Sequence, residues 1–79
     1  MGTMVANVSR EVRRKAVLDY FRRHETPTSL SYMATELRAG DNRLSNLRDA
    51  DFREVVFPML VTGRLRYTPD LKIELGDNA

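Results

Sequence analysis

The chain has 79 residues, 42% hydrophobic and 30% charged, with a net charge of +2 and no cysteine. That length allows one domain around one apolar core, and without cysteine neither disulfides nor thiolate zinc sites can staple it. No apolar run approaches the ~20 residues of a membrane span and no signal-peptide pattern opens the chain, so the expected location is the cytoplasm.

Residues 1–8 are uncharged and aperiodic and read as a flexible N-terminus. Met4 offers a second start, which leaves open whether Met1–Thr3 is native. Ser9 or Asn7 can cap a helix from about Arg10 to His24, with Val17, Leu18 and Phe21 facing inward and Val12, Ala16 and Tyr20 widening the stripe. Arg22, Arg23 and His24 complement the dipole of its last turn. Thr26 before Pro27 is pushed out of the helical region and stops it.

Leu30, alone between polar residues, suits a strand of one or two residues. Ser31 then caps a second helix from Tyr32 to about Ala39, with Met33, Ala34 and Leu37 inward and Gly40 as a left-handed end. Asp41 to Ala50 is a longer polar stretch, and Leu44 and Leu47 at i and i+3 predict an extra helical turn inside it. The next stripe is Phe52, Val55, Val56, Met59 and Leu60, capped by Asp49 or Asp51 and stopped by Gly63. Pro58 falls within it, and an interior proline predicts a kink or a split at Phe57. Leu65 and Tyr67, then Leu71, Ile73 and Leu75, alternate with polar residues as the arms of a hairpin. Pro69 and Asp70 suit the two central positions of its turn. Residues 76–79 carry no signal and read as a tail after a domain spanning 9–75.

A helix with a small Ala34 on its buried face, a longer striped helix stopped by Gly63 and a tight hairpin follow a basic amphipathic helix in that order. The order resembles the winged helix-turn-helix module of small bacterial and phage transcription regulators, over about 65 residues. The resemblance implies a mainly α fold of three helices closed by a two-stranded wing. It implies transcription regulation through double-stranded DNA, with the third helix in the major groove and the wing on the flanking backbone.

Catalysis is not expected. One histidine and no cysteine leave nucleophile triads and zinc sites without parts, and Gly2, Gly40, Gly63 and Gly76 are too scattered to cradle a phosphate. No cofactor or metal is therefore expected, and His24 reads as a solvated residue at a helix end. The aromatic residues fall largely on core-facing positions, with Tyr32 and Phe57 the least firmly placed inside.

Two binding readings remain. For DNA, Arg64, Arg66 and Lys72 on the hairpin and Arg43, Arg48 and Arg53 near the third helix supply cations. Ser31, with Thr28 and Ser29, can donate to phosphate. Against this, Asp49, Asp51 and Glu54 make the expected reading helix acidic. Residues 1–24 are more basic, with six cations against Glu11 and Asp19. Arg10, Arg13, Arg14, Arg22 and Arg23 could instead dock the first helix on an acidic protein surface such as RNA polymerase. Nearly all of the cations are arginine, which reflects either a GC-rich coding genome or the guanidinium fork's fit to phosphate and carboxylate. No long exposed heptad is visible, so a monomer is expected.

Overall fold

The computed structural model describes residues 8–78. It runs in order through α1 (Arg10–Arg23), α2 (Leu30–Gly40), a 3₁₀ turn (Asn42–Leu44), α3 (Asp49–Val61), β1 (Leu65–Tyr67) and β2 (Ile73–Leu75). The layout is mainly helical with one two-stranded antiparallel hairpin. Asn7 and nearly all of the expected flexible N-terminus lie outside the described residues.

Helix α1 starts because the Ser9 hydroxyl accepts the Val12 N–H at 3.2 Å, satisfying one of the free donors of the first turn. Val17, Leu18, Tyr20 and Phe21 are buried, and Val12 and Ala16 flank them half-buried. The second helix begins earlier than expected. Ser29 supplies its cap, accepting the Tyr32 N–H at 3.1 Å, and this places Ser31 inside the first turn. Leu30 is drawn into the helix, and the lone strand residue is Thr28. Its N–H donates to the Ile73 carbonyl at 3.0 Å, and its own carbonyl accepts the Ile73 N–H at 2.8 Å. Gly40 does not end the helix in a left-handed conformation; it remains helical, and extended Asp41 closes the helix by donating to the Leu37 carbonyl.

Leu44 and Leu47 are buried, so the long polar connection is anchored by the 3₁₀ turn and the residues after it. Neither aspartate occupies the cap of α3. Arg48 does, and the Asp51 carboxylate reaches back to accept its backbone N–H at 2.8 Å, which is half of a capping box. Helix α3 also does not split at Phe57. Pro58 lies in the last turn on the exposed side, so one hydrogen bond is lost where the Glu54 carbonyl is on the wet side of the helix. The helix ends as a Schellman motif: Gly63 takes φ 83°, Gly63 N–H donates to the Leu60 carbonyl and Arg64 N–H to the Met59 carbonyl.

The hairpin pairs Leu65 with Leu75, Arg66 with Glu74 and Tyr67 with Ile73. Leu71 N–H donates to the Thr68 carbonyl, so Pro69 and Asp70 do occupy the central turn positions. Leu71 is not part of a strand; it sits at the turn with φ 66° and is 75% exposed. A leucine held in that left-handed region costs about 1–2 kcal/mol relative to ordinary backbone.

Leu65 and Ile73 reach the same cluster as Val17, Phe21, Met33, Ala34, Phe52, Val56 and Met59, so the hairpin closes the three-helix core. Residues after β2 are more than a tail. Gly76 N–H donates to the Arg64 carbonyl at 2.8 Å, Asn78 N–H to the Gly63 carbonyl at 3.0 Å, and the Asn78 amide to the Thr62 carbonyl at 2.9 Å. These bonds pin the chain end onto the end of α3. Among the described residues, no helix is long and apolar enough to cross a membrane.

A β-carbon on Gly76 would lie 2.2 Å from the Gly63 carbonyl oxygen, backbone against backbone. Gly76→Ala is therefore expected to destabilise the fold by about 1–3 kcal/mol, lowering Tm by at least about 4 °C. Thermal unfolding followed by circular dichroism checks this, and an unchanged Tm would contradict the packing described.

Candidate nucleic-acid interface

Helix α3 carries Asp49, Asp51 and Glu54 against Arg53, which by formal charge makes it acidic. Tertiary structure changes what it presents. Arg38, projecting from α2, donates from Nη1 to Asp49 Oδ1 at 2.9 Å, and the Ser31 hydroxyl donates to Asp49 Oδ2 at 3.3 Å. Asp51 is occupied by the Arg48 backbone. Arg13 of α1 donates from Nη1 to Glu54 Oε1 at 2.9 Å and to the Asp51 carbonyl at 2.8 Å. The Arg13 side chain is only 12% exposed, and its Nε is buried without a hydrogen-bond partner among the described residues. All three carboxylates of the helix are thus engaged from within the fold.

The cations divide differently. Among the described residues, Arg48 at the α3 cap, Arg53 on its second turn and Arg64 just beyond its end have no carboxylate within 4.0 Å. Arg43 is held by Asp41 through Nε at 3.2 Å and Nη2 at 2.9 Å, and the guanidinium holds the Asp41 carboxyl below its ordinary range. On the hairpin, Arg66 pairs with Glu74 at 2.8 Å and Asp77 at 3.4 Å, while Lys72 lies 3.9 Å from Asp70. The hydroxyls expected to meet phosphate have internal partners too: Thr28 donates to the Thr26 carbonyl, Ser29 caps α2 and Ser31 meets Asp49.

The set on α1 is also thinned. Arg13 turns inward, Arg14 pairs with Glu11 at 2.7 Å, and Arg22 lies 3.5 Å from Asp19, leaving Arg10 and Arg23 uncompensated among the described residues. Of the nominated positions, the structure gathers Arg48, Arg53 and Arg64 along one helix and spends most of the others on intramolecular ion pairs.

Three aromatic residues depart from their expected inward placement. Tyr32 is 58%, Phe57 60% and Tyr67 53% exposed. For Phe57 the helical period explains it: at 100° per residue, Phe52, Val55, Val56 and Met59 fill the inward arc, and Ala50, Phe57 and Val61 fall opposite. Val61, which the stripe did not include, is 81% exposed. Arg38 also went unnominated, because its partner Asp49 is eleven residues away and belongs to another helix.

Helices α1 and α2 also border an open groove of about 500 Å³, lined in part by Lys15, Arg23, His24, Glu36 and Arg43. At its wall the Tyr20 hydroxyl donates to Glu36 at 2.6 Å, and His24, a helix-end residue as expected, stacks on the Tyr20 ring at 4.0 Å. Burial, reinforced by the hydrogen bond to Glu36, pushes the Tyr20 phenol up to about 12. No protein-family model, curated protein or solved structure matches this chain.

A phenol whose pKa is higher in the folded than in the unfolded chain contributes stability that is complete below pH ~10 and lost as pH rises toward 12. Denaturant unfolding between those pH values should show a steeper loss of stability for the native chain than for Tyr20→Phe. Equal slopes would contradict the raised Tyr20 pKa that burial and the Glu36 hydrogen bond together produce.

Proposed function

We propose that this chain is a small winged helix-turn-helix protein of transcription regulation that contacts duplex DNA through α3 and the hairpin. The element order supports the fold: three helices precede the hairpin, and Thr28 between α1 and α2 pairs with the inner hairpin strand, giving the spatial order Thr28, β2, β1. A helix set this way leaves its outward side free for a groove, with the hairpin beside it.

The observation that carries the DNA reading is the pairing of Asp49 with Arg38 and of Glu54 with Arg13, which leaves, among the described residues, Arg48, Arg53 and Arg64 against the single unpaired carboxylate of Asp51 along α3. Phosphate attraction depends on charge not already neutralised, so the face is cationic despite its formal composition. Arg48 and Arg53 lie in the N-terminal half, the part of a recognition helix that approaches base edges, and Arg64 meets the backbone where the hairpin departs. Docking through α1 has weaker support, because Arg13 is committed to α3 and cannot face a partner.

Three phosphate contacts release about three counterions, so log K should fall with log salt at a slope of about −2.7, or roughly 40-fold in affinity between 50 and 200 mM. Fluorescence anisotropy with a short nonspecific duplex measures this directly. Arg48→Ala/Arg53→Ala/Arg64→Ala should flatten the slope, whereas Arg10→Ala/Arg23→Ala should leave it in place. An unaltered slope in the triple variant, with the helical spectrum intact, would overturn the proposal.

A further inference from the structure

The C-terminal half of α3 carries a feature that phosphate binding does not use. Phe57 and Val61 stand one turn apart on its outward side, 60% and 81% exposed, with Ala50 in line with them two turns before Phe57. A monomeric domain gains nothing in stability from a large aromatic residue and a β-branched residue side by side in water. Apolar residues so grouped mark a contact surface. Aromatic residues with flanking arginines are also the composition enriched in the energetic centres of protein interfaces.

We infer that this ridge is a docking site for an acidic amphipathic protein segment, a helix presenting apolar residues at i, i+3, i+4 and i+7 with carboxylates beside them. The charge around the ridge selects that occupant. Arg53 lies one turn before Phe57 and Arg64 three residues after Val61, and among the described residues neither has an intramolecular carboxylate partner. The nearest carboxylate on the helix, Glu54, is held by Arg13. A partner with apolar knobs flanked by carboxylates therefore meets an apolar strip with a guanidinium beyond each end. A second copy of this chain is a poor occupant, since a two-fold contact on α3 would bring the same uncompensated arginines together. The strip is short: α3 has 13 residues and spans ~20 Å, so the contact falls below the size of stable interfaces and should be weak and reversible.

The inference stands apart from the DNA reading, although Arg53 and Arg64 would serve both ligands and make them compete. The probe is a synthetic amphipathic peptide of about 18 residues, long enough to cover α3, with leucines at helical spacing and glutamates elsewhere. It is titrated into the isotopically labelled full chain by heteronuclear NMR. Expected are saturable shifts centred on Arg53, Phe57, Val61 and Arg64, with a Kd on the order of 10–100 µM. Phe57→Ser/Val61→Ser should weaken the peptide at least tenfold while leaving the salt slope of DNA binding unchanged. Because both side chains are exposed, this variant should fold, and its spectrum verifies that. Shifts centred elsewhere, unchanged peptide affinity in the double variant, or no shift at millimolar peptide would each overturn the inference. So would equal binding of a peptide with lysine in place of glutamate, which would show no charge selection. Adsorption to phosphatidylglycerol vesicles in preference to the peptide would assign the ridge to a lipid surface, and dilution-dependent dimerisation lost in the double variant would assign it to self-association.

Discussion

Two arginines that belong to other helices decide what α3 shows to its surroundings. Arg13 reaches from α1 to Glu54 and the Asp51 carbonyl, and Arg38 reaches from α2 to Asp49. Both pairs are hydrogen-bonded at charge-assisted distances, and Arg13 is nearly buried, so it is screened less than an exposed pair would be. The arrangement ties each of the first two helices to the third. It also offsets two of the helix's three negative charges, Asp49 and Glu54, so one set of contacts sets both packing and surface potential.

The hairpin depends on a different constraint, the close passage of backbone at Gly63 and Gly76. Gly63 turns the chain out of α3 in a left-handed conformation. Gly76 then comes so near the Gly63 carbonyl that no side chain fits. Hydrogen bonds from Gly76 and Asn78 to the end of α3, together with the Thr28–Ile73 bridge, hold the two strands at both edges. With its base fixed, the hairpin delivers Leu65 and Ile73 to the core while its tip extends beyond it. The tip can then carry Leu71 in an unfavourable backbone conformation without threatening the fold.

What could be read from the chain was what short-range periodicity and local stereochemistry encode. The stripes of α1 and α3, the stop at Gly63, the Leu44 and Leu47 anchors and the alternation of Leu65 and Ile73 all depend on neighbours a few residues away. The start of α2 was displaced because Ser29 and Ser31 are equivalent as caps by composition, and only the earlier one has its hydroxyl at the Tyr32 N–H. The helix did not split at Phe57, because a proline in a final, wet turn forfeits little. The candidate interface was the least legible part. Whether a carboxylate is free depends on partners such as Arg13, 41 residues from Glu54, and no local pattern records that pairing. Arg66, Lys72 and Arg43 looked available for the same reason, until cross-strand and turn neighbours claimed them.

The cationic face of α3 depends on Glu54 being silenced by Arg13, and a double-mutant cycle on DNA affinity at low salt tests that coupling most directly. Arg13→Met should weaken binding several-fold, because it releases a carboxylate onto the helix that meets phosphate, and adding Glu54→Gln should restore it. In the native background Glu54→Gln should change affinity little. If Arg13→Met leaves affinity unaltered, or Glu54→Gln raises it equally in both backgrounds, the carboxylate was never neutralised and the cationic face described for α3 does not exist.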